Sequence, residues 1–348
     1  MTGHLCDPFR TWRGAAVVAA AGLVVAGLAD RAEAQLDFNE SQRAEIVHRD
    51  GIHVLPVQGN VYMVHLDQGD LNLTVQVGAQ GLLLVDTGPA DLAEPLLATL
   101  QELFADKPVR YIINTHVHPD HAGGNEAIIK ALRGDESEEG GGGGGGNANA
   151  VRVIAHENTL NRMNGAIEGE PEWPLDALPT SSFFTGKKKL YFNGEPIEII
   201  YVPNAHTDGD VMVFFRRSDV ISAGDVYAVD RYPVIDAARD GSIQGVLDGL
   251  NQILDITVPE FNQQGGTRVI PGHGRLSNES DVDDYRNWMT IIRDRVRMMV
   301  RKGMTLEQVK AAHPSMDFDP VFEMPSWTPD MFIEAVYNDL IGSAASTR

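Results

Sequence analysis

The segment from Thr115 to Gly124 reads THVHPDHAGG and brings four residues of metal-binding type within six positions. Alternate side chains of an extended segment face the same way, so His116 and His118 can converge on one ion. Asp120 and His121 follow a proline, where the chain must turn, and can point to a second ion nearby. Imidazole and carboxylate ligands without thiolate suit Zn²⁺ and also tolerate Mn or Fe. The segment therefore predicts a metal site.

Three further candidate ligands follow apolar runs later in the chain. His206 stands in PNAHTDG, Asp225 in AGD and His273 in PGHG. Each lies where an apolar run ends and close to a glycine, a position typical of functional loops. Four residues cannot complete two metal sites, so these three are predicted to supply the missing ligands.

The HxHxDH run, followed in order by His206, Asp225 and His273, resembles the metallo-β-lactamase superfamily. The resemblance extends over roughly Ile52 to Gly274. It implies a mixed α/β fold with four αββα layers, in which two β-sheets pack face to face and helices cover them outside. Helical patterns after this region predict a C-terminal helical extension.

The resemblance also implies how the ligands divide between two ions. One ion would be held by His116, His118 and His206, the other by Asp120, His121 and His273, with Asp225 bridging them. It further implies that Asp86, at the end of LLLVD, supports the site from outside the ligand set. Two Zn²⁺ are the expected cofactor, with Mn or Fe as alternatives. Two ions about 3.5–4 Å apart can share a hydroxide and polarise a carbonyl or phosphoryl oxygen. Asp120 would orient the hydroxide, and Asp225 would offset the repulsion between the ions.

Two sequence positions and the net charge limit which branches of the superfamily the chain can resemble. Asp225 stands where the β-lactamases usually carry Cys or Ser. An aspartate at this position instead resembles glyoxalase II, the lactonases and the nuclease branch. Flavin-linked iron members usually have Glu where His118 stands, and a formal charge of -21 disfavours the nuclease branch. We expect a hydrolase of an ester, thioester, lactone or amide bond, with β-lactams a weaker candidate. A mononuclear iron sulfur-dioxygenase-like enzyme and a non-catalytic, metal-stabilised binding protein stay open as alternatives.

Three residues soon after Asp225 are candidates for binding the substrate. Tyr227 and Tyr232 can donate a hydrogen bond to a developing oxyanion, and Arg231 can hold a substrate carboxylate. Packing for the two tyrosines, and a surface role for the arginine, are the competing interpretations.

The N-terminal segment has the pattern of a signal peptide. Arg10 and Arg13 precede the uncharged apolar run from Ala15 to Ala29, and an AEA sequence ends at Ala34. The run is shorter than the roughly 20 apolar residues that span a membrane. We therefore expect cleavage after Ala34, a periplasmic or secreted protein, and no membrane anchor after cleavage. The single cysteine, Cys6, would leave with the signal peptide.

The remaining chain is interpreted as one domain and a helical tail. The predicted units are a signal peptide (1–34), a catalytic domain (35–278) and a C-terminal helical extension (279–348). The acidic, glycine-rich run 134–150 predicts a flexible surface insertion. The acidic balance disfavours nucleic acid as a partner, so a small-molecule substrate is expected, with a homodimer as a further candidate.

Overall fold

In the computed structural model, the described residues are 47–133, 150–257, 266–322 and 324–346. The predicted signal peptide and residues 134–149 of the predicted insertion lie outside them. Among the described residues, no helix is both long enough and apolar enough to cross a membrane.

The first sheet has eight described strands, which follow one another in space in chain order. The strands up to β5 pair antiparallel, and those from β5 to β8 pair parallel. The strands are β1 (Val47–Arg49), β2 (Ile52–Gln58), β3 (Val61–Leu66), β4 (Leu71–Gly78), β5 (Gly81–Val85), β6 (Val109–Ile113), β7 (Arg152–His156) and β8 (Ser181–Phe183).

The second sheet has six described strands in the order β14-β13-β12-β11-β10-β9. They are β9 (Lys187–Phe192), β10 (Glu195–Tyr201), β11 (Val211–Phe215), β12 (Val220–Ser222), β13 (Arg268–Ile270) and β14 (Ser277–Asn278). The β9–β10 hairpin turns at Asn193 and Gly194, whose φ angles are 49° and 79°. This is the positive-φ pair that an Asn-Gly sequence predicts.

Helices cover the outer face of each sheet. In chain order they are α1 (Ala93–Leu103), α2 (Pro119–Ala122), α3 (Asn125–Arg133), α4 (Glu157–Met163), α5 (Ile243–Thr257), α6 (Glu279–Arg301), α7 (Leu306–Ala311), α8 (Asp319–Phe322) and α9 (Pro329–Ser346). The boundary predicted between residues 278 and 279 falls between β14 and α6.

Three apolar clusters account for the layering. Leu96 and Leu100 of α1 pack on the outer face of the first sheet, together with residues of α3. The inner faces of the two sheets meet through residues such as Ile113 and Val213. The outer face of the second sheet packs against α5 to α9, where Tyr285 of α6 is fully buried. The predicted αββα sandwich with C-terminal helices is confirmed.

The fold gathers its functional candidates at one end of the two sheets. Asp86 follows β5, the THVHPDH segment follows β6, and His206 follows β10. Asp225 follows β12, and His273 follows β13. The central strands that precede these loops are buried and apolar, so the loops they support are held at fixed positions.

Candidate metal centre

The first ligand group consists of three imidazoles from two loops. His118 Nδ1 lies 3.1 Å from His116 Nε2 and 2.8 Å from His206 Nε2. His116 and His206 are almost completely buried. The three nitrogens surround one point, as the ligands of a single ion must.

The second ligand group combines two imidazoles and a carboxylate. Asp120 Oδ2 lies 3.9 Å from His121 Nε2 and 3.7 Å from His273 Nε2. The side chain of Asp120 is 48% exposed, whereas that of His121 is fully buried. This group is therefore looser than the first and opens toward solvent.

Asp225 lies between the two groups. Its Oδ1 is 3.1 Å from His121 Nε2, and its Oδ2 is 3.5 Å from His273 Nε2 and 3.6 Å from His206 Nε2. One carboxylate thus faces ligand nitrogens of both groups and would be within reach of an ion held in either. The structure brings together all seven ligands predicted from the sequence.

Two glycines permit this close approach. A Cβ on Gly272 would lie 2.0 Å from Asp225 Oδ1. Gly224 has a φ of +51°, and a Cβ there would lie 2.7 Å from the side chain of Thr115. Only glycine fits at these two positions, so the loops carrying Asp225 and His273 can pack directly against each other.

Each of the five histidines is held by a hydrogen bond at the ring nitrogen that faces away from the centre. The partners are Thr115 Oγ1 for His116 (3.0 Å), Asp236 Oδ2 for His118 (2.9 Å), Asp86 Oδ2 for His121 (2.8 Å), Val234 O for His206 (2.8 Å) and Gly69 O for His273 (2.9 Å). Four of these partners are carbonyl or carboxylate oxygens, which can only accept, and the Thr115 hydroxyl donates its own proton to Asp86. Each outward nitrogen therefore carries a proton, and the inward nitrogen of the neutral ring is a lone-pair donor.

Asp86 lies behind the predicted ligands and contacts one of them, His121. It adopts a positive φ of 64° directly after β5. Its Oδ1 accepts from Thr115 N at 2.7 Å, and its Oδ2 accepts from Thr115 Oγ1 at 2.7 Å and from His121 Nδ1. The buried carboxylate therefore links the end of β5 to the start of the ligand segment.

Asp236 was not predicted from the sequence. It lies 118 residues after His118, accepts from its Nε2, and also accepts from Arg239 Nη1 at 2.7 Å. Arg239 in turn contacts Glu170, which contacts the buried Arg162. A carboxylate in an irregular loop carries no local signal that would have revealed this contact.

The electrostatics of the metal-free centre differ between the two groups. Burial lowers the pKa of the His116 imidazole well below its usual value. Burial has the same effect on His121, but the carboxylates of Asp225 and Asp86 outweigh it and raise that pKa well above the usual value. Burial disfavours the charge of Asp225, yet His121 and His273 lower its pKa well below the usual value. An ionised carboxylate beside imidazoles is a strong cation site.

The donor set fits divalent metal ions. His121 Nε2 and Asp225 Oδ1 are buried polar atoms that lie 3.1 Å apart, yet neither makes a well-aligned hydrogen bond to any described residue. Such atoms are costly unless another group satisfies them, and a cation would do so. Five imidazoles and two carboxylates, with no thiolate, are the ligands preferred by zinc and similar ions.

Comparison with known proteins places this geometry in a family. The sequence model of the metallo-β-lactamase superfamily matches residues 56–273. This range includes all seven predicted ligands and ends at the last of them, His273. The chain belongs to the metallo-β-lactamase superfamily. The prediction of a metal-dependent hydrolase of this superfamily is confirmed at the level of the class.

Two curated relatives match different shares of the chain. A linear primary-alkylsulfatase from Pseudomonas sp. is 34% identical over 308 residues, which cover 76% of this chain and 54% of the relative. A hydroxyacylglutathione hydrolase from Synechococcus sp. is 26% identical over 166 residues, covering 48% of this chain and 53% of the relative. The chain thus spans about half the length of these two relatives.

Solved structures show the same superfamily fold. A metallo-β-lactamase from Pontibacter korlensis has a TM-score of 0.51 at 17% identity, covering 69% of this chain and 99% of its own. The sec-alkylsulfatase Pisa1 from Pseudomonas sp. has a TM-score of 0.55 at 16% identity, covering 82% of this chain and 49% of its own. At these identities the likeness supports the fold alone.

The candidate substrate residues of this superfamily member lie apart from the ligands. Tyr227 and Tyr232 are completely buried in the cluster between the second sheet and the C-terminal helices. The Tyr227 hydroxyl contacts Ser277 at 3.2 Å, and the Tyr232 hydroxyl donates to Asp319 at 2.6 Å. The structure therefore assigns both tyrosines to packing, because neither hydroxyl is free to meet a substrate.

Arg231 forms an ion pair within the protein. Its guanidinium pairs with Asp70, and its side chain is 12% exposed. The neighbouring residue Gly69 supplies the carbonyl that holds His273. Arg231 therefore stabilises the loop that holds His273. The carboxylate with which it pairs is that of Asp70, and not that of a substrate.

Proposed function

We propose that this chain is a secreted or periplasmic dinuclear zinc hydrolase that cleaves an ester, thioester, lactone or amide bond. The observation that carries the proposal is the position of Asp225, whose two oxygens face ligand nitrogens of both groups at 3.1–3.6 Å. Ions bound in the two groups would supply Lewis acidity and an activated water. The acidic chain favours a small-molecule substrate, and a homodimer remains part of the proposal.

The residues of the chain have distinct tasks in such a reaction. The five histidines offer nitrogens of fixed orientation, and Asp225 supplies negative charge between them. Asp120 is the most exposed ligand, so its free carboxylate oxygen can orient the attacking water and accept its proton. Asp86 and Asp236 keep His121 and His118 in place during turnover.

Sulfate ester hydrolysis is a second candidate function. It is favoured by the linear primary-alkylsulfatase that is 34% identical over 308 residues. A sulfate ester needs the same activated water, and its sulfuryl oxygens would take the place of the carbonyl oxygen at the ions.

The test is metal analysis of the purified chain combined with a substrate screen. We expect two zinc ions per chain, and hydrolysis of at least one ester, thioester, lactone, β-lactam or alkyl sulfate that a chelator abolishes. Activity that survives removal of the metal would overturn the proposal. One iron per chain with oxygen uptake on a persulfide would support the dioxygenase alternative, and metal-dependent stability without turnover would support the binding protein.

Secretion is tested separately from catalysis. Expression of the full chain, followed by fractionation and N-terminal sequencing, should give a mature protein in the periplasm or medium that begins at Gln35. An uncleaved chain in the cytoplasm would contradict this part of the proposal and leave the hydrolase assignment intact.

A further inference from the structure

Three histidines outside the metal centre form one row across the first sheet. His48 of β1 lies directly opposite His53 of β2, which lies directly opposite His65 of β3. Directly opposite residues of antiparallel strands share a face, with Cβ atoms about 4.5–5.5 Å apart. At this separation two neighbouring imidazoles can reach the same ion.

The first two members of the row approach each other closely. His48 Nδ1 lies 2.6 Å from His53 Nδ1, and His53 Nε2 lies 2.8 Å from Asp67 Oδ1. Since the carboxylate accepts, His53 carries its proton on Nε2 and directs its Nδ1 lone pair at His48. A carboxylate behind an imidazole fixes the ring and makes it a better ligand.

The same two features occur in the metal centre. There, ligand nitrogens lie 2.8 and 3.1 Å apart, and the carboxylate of Asp86 stands 2.8 Å behind His121. The pair formed by His48 and His53 repeats this pattern at the sheet surface, where His48 is exposed and Asp67 has a 64% exposed side chain.

We propose that His48 and His53, backed by Asp67, bind a divalent transition-metal ion in addition to those of the metal centre. The ion takes the place of the proton between the two Nδ1 atoms, and His48 then carries its one ring proton on Nε2, so both rings stay neutral. With metal–nitrogen bonds of 2.0–2.1 Å, the two nitrogens must separate to about 3 Å. His48 can make this movement because it lies on a short strand at the edge of the sheet, and water fills the remaining ligand positions.

The consequence is a metal link between the edge strand and the rest of the sheet. β1 has three residues and pairs only with β2 in the described sheet. An ion bound across the pair stabilises the folded chain by its binding free energy, since an unfolded chain does not hold both ligands together.

Equilibrium dialysis of the metal-loaded full chain against buffered Zn²⁺ tests the site. Wild type should bind one equivalent more than the metal centre holds, and His48→Ala and His53→Ala should each lose that equivalent. Asp67→Ala should weaken its affinity about tenfold, the effect of removing the partner behind a ligand. The matched control is His313→Asn, at an exposed histidine with a φ of 46° that asparagine tolerates, and it should bind as wild type does.

Retention of the purified proteins on an immobilised Ni²⁺ column gives an independent measurement. His53→Ala should elute earlier than His313→Asn, and equal thermal unfolding midpoints in chelator would show that both variants fold. If His48→Ala and His53→Ala bind as much Zn²⁺ as wild type and are retained equally, the proposed site does not exist.

Discussion

The two ligand groups of the metal centre differ in how firmly the protein holds them. In the first, three nitrogens lie within 3.1 Å of their nearest neighbour and two of the rings are almost completely buried. In the second, the distances to Asp120 are 3.7–3.9 Å and that carboxylate is half exposed. The first group is already as compact as the ligands of one ion, whereas the second would have to contract to hold one.

In the proposed dinuclear centre, this difference indicates that the two ions have different roles. The buried group of three imidazoles would bind its ion firmly and keep it fixed. A group with an exposed carboxylate leaves room for a substrate and for the water that attacks it. The centre should therefore lose the ion of the second group first, and its activity should follow that ion.

The largest effect should come from removing the residue shared by both groups. Asp225→Ala should reduce the metal content below two ions per chain and lower kcat/KM by more than about 100-fold, the upper range for loss of an outer partner of a ligand. Asp255→Ala, an exposed aspartate of α5, is the matched control and should behave as wild type. Metal analysis and steady-state kinetics check both variants. A full complement of two ions in Asp225→Ala would disprove the bridge.

A smaller effect should follow from removing the carboxylate that supports His118 of the first ligand group. Asp236→Ala removes the acceptor of His118 Nε2, so metal affinity or activity should fall about 10–100-fold. Asp236→Asn keeps an acceptor without the charge and should fall between wild type and Asp236→Ala. Zn²⁺ competition with a chromophoric chelator measures the affinity. Equal affinity in all three proteins would mean that the ring of His118 needs no such support.

A pH titration should separate the two groups further. In the metal-free chain the pKa of His116 lies below 6.5, and Asp225 and Asp86 raise that of His121 above 6.5 against the effect of burial. A raised pKa keeps His121 protonated to higher pH, so protons compete longer with metal in the second group. The stability that the charged ring contributes is fully present below 6.5 and is lost as pH rises through its folded-state pKa.

Zn²⁺ titrations of the metal-free chain at pH 5.5 and 8 check this prediction. We expect two ions to bind at the higher pH, and the affinity for one of them to fall much more steeply on acidification. Parallel loss of both ions would show that the two groups do not differ in this way.

Much of the fold could be predicted because its strands carry strong local signals. The apolar runs of β5 and β10 are typical of buried strands, and the Asn-Gly pair is typical of a hairpin turn. The short strands β8 and β14, and the lysine-rich start of β9 at Lys187, carry no such pattern. Their residues are polar or few, and they become strands only because a neighbouring strand pairs with them.

The metal centre was predictable for a related reason. Its ligands stand at strand ends in a compact pattern, and the order of the later ligands resembles a known superfamily. Asp236 and the carbonyl of Gly69 were not predictable, because their contacts depend on how distant loops pack. The substrate role considered for Tyr227 shows the opposite error, since proximity in sequence to Asp225 does not place a hydroxyl at the centre.

The smallest effect on activity should come from the two tyrosines buried between the second sheet and the C-terminal helices. Tyr227→Phe removes a buried hydroxyl 3.2 Å from Ser277 and should lower the free energy of unfolding by about 1 kcal/mol. Tyr232→Phe removes a hydrogen bond of 2.6 Å to Asp319 and should cost about 1.5–3 kcal/mol, since its acceptor is charged. Urea unfolding measures these losses, and kcat/KM should stay within about twofold of wild type because neither ring reaches a ligand. A rise in KM without loss of stability would instead indicate that the hydroxyl contacts the substrate. That tyrosine would then belong to the substrate site and not to the apolar cluster between the second sheet and the C-terminal helices.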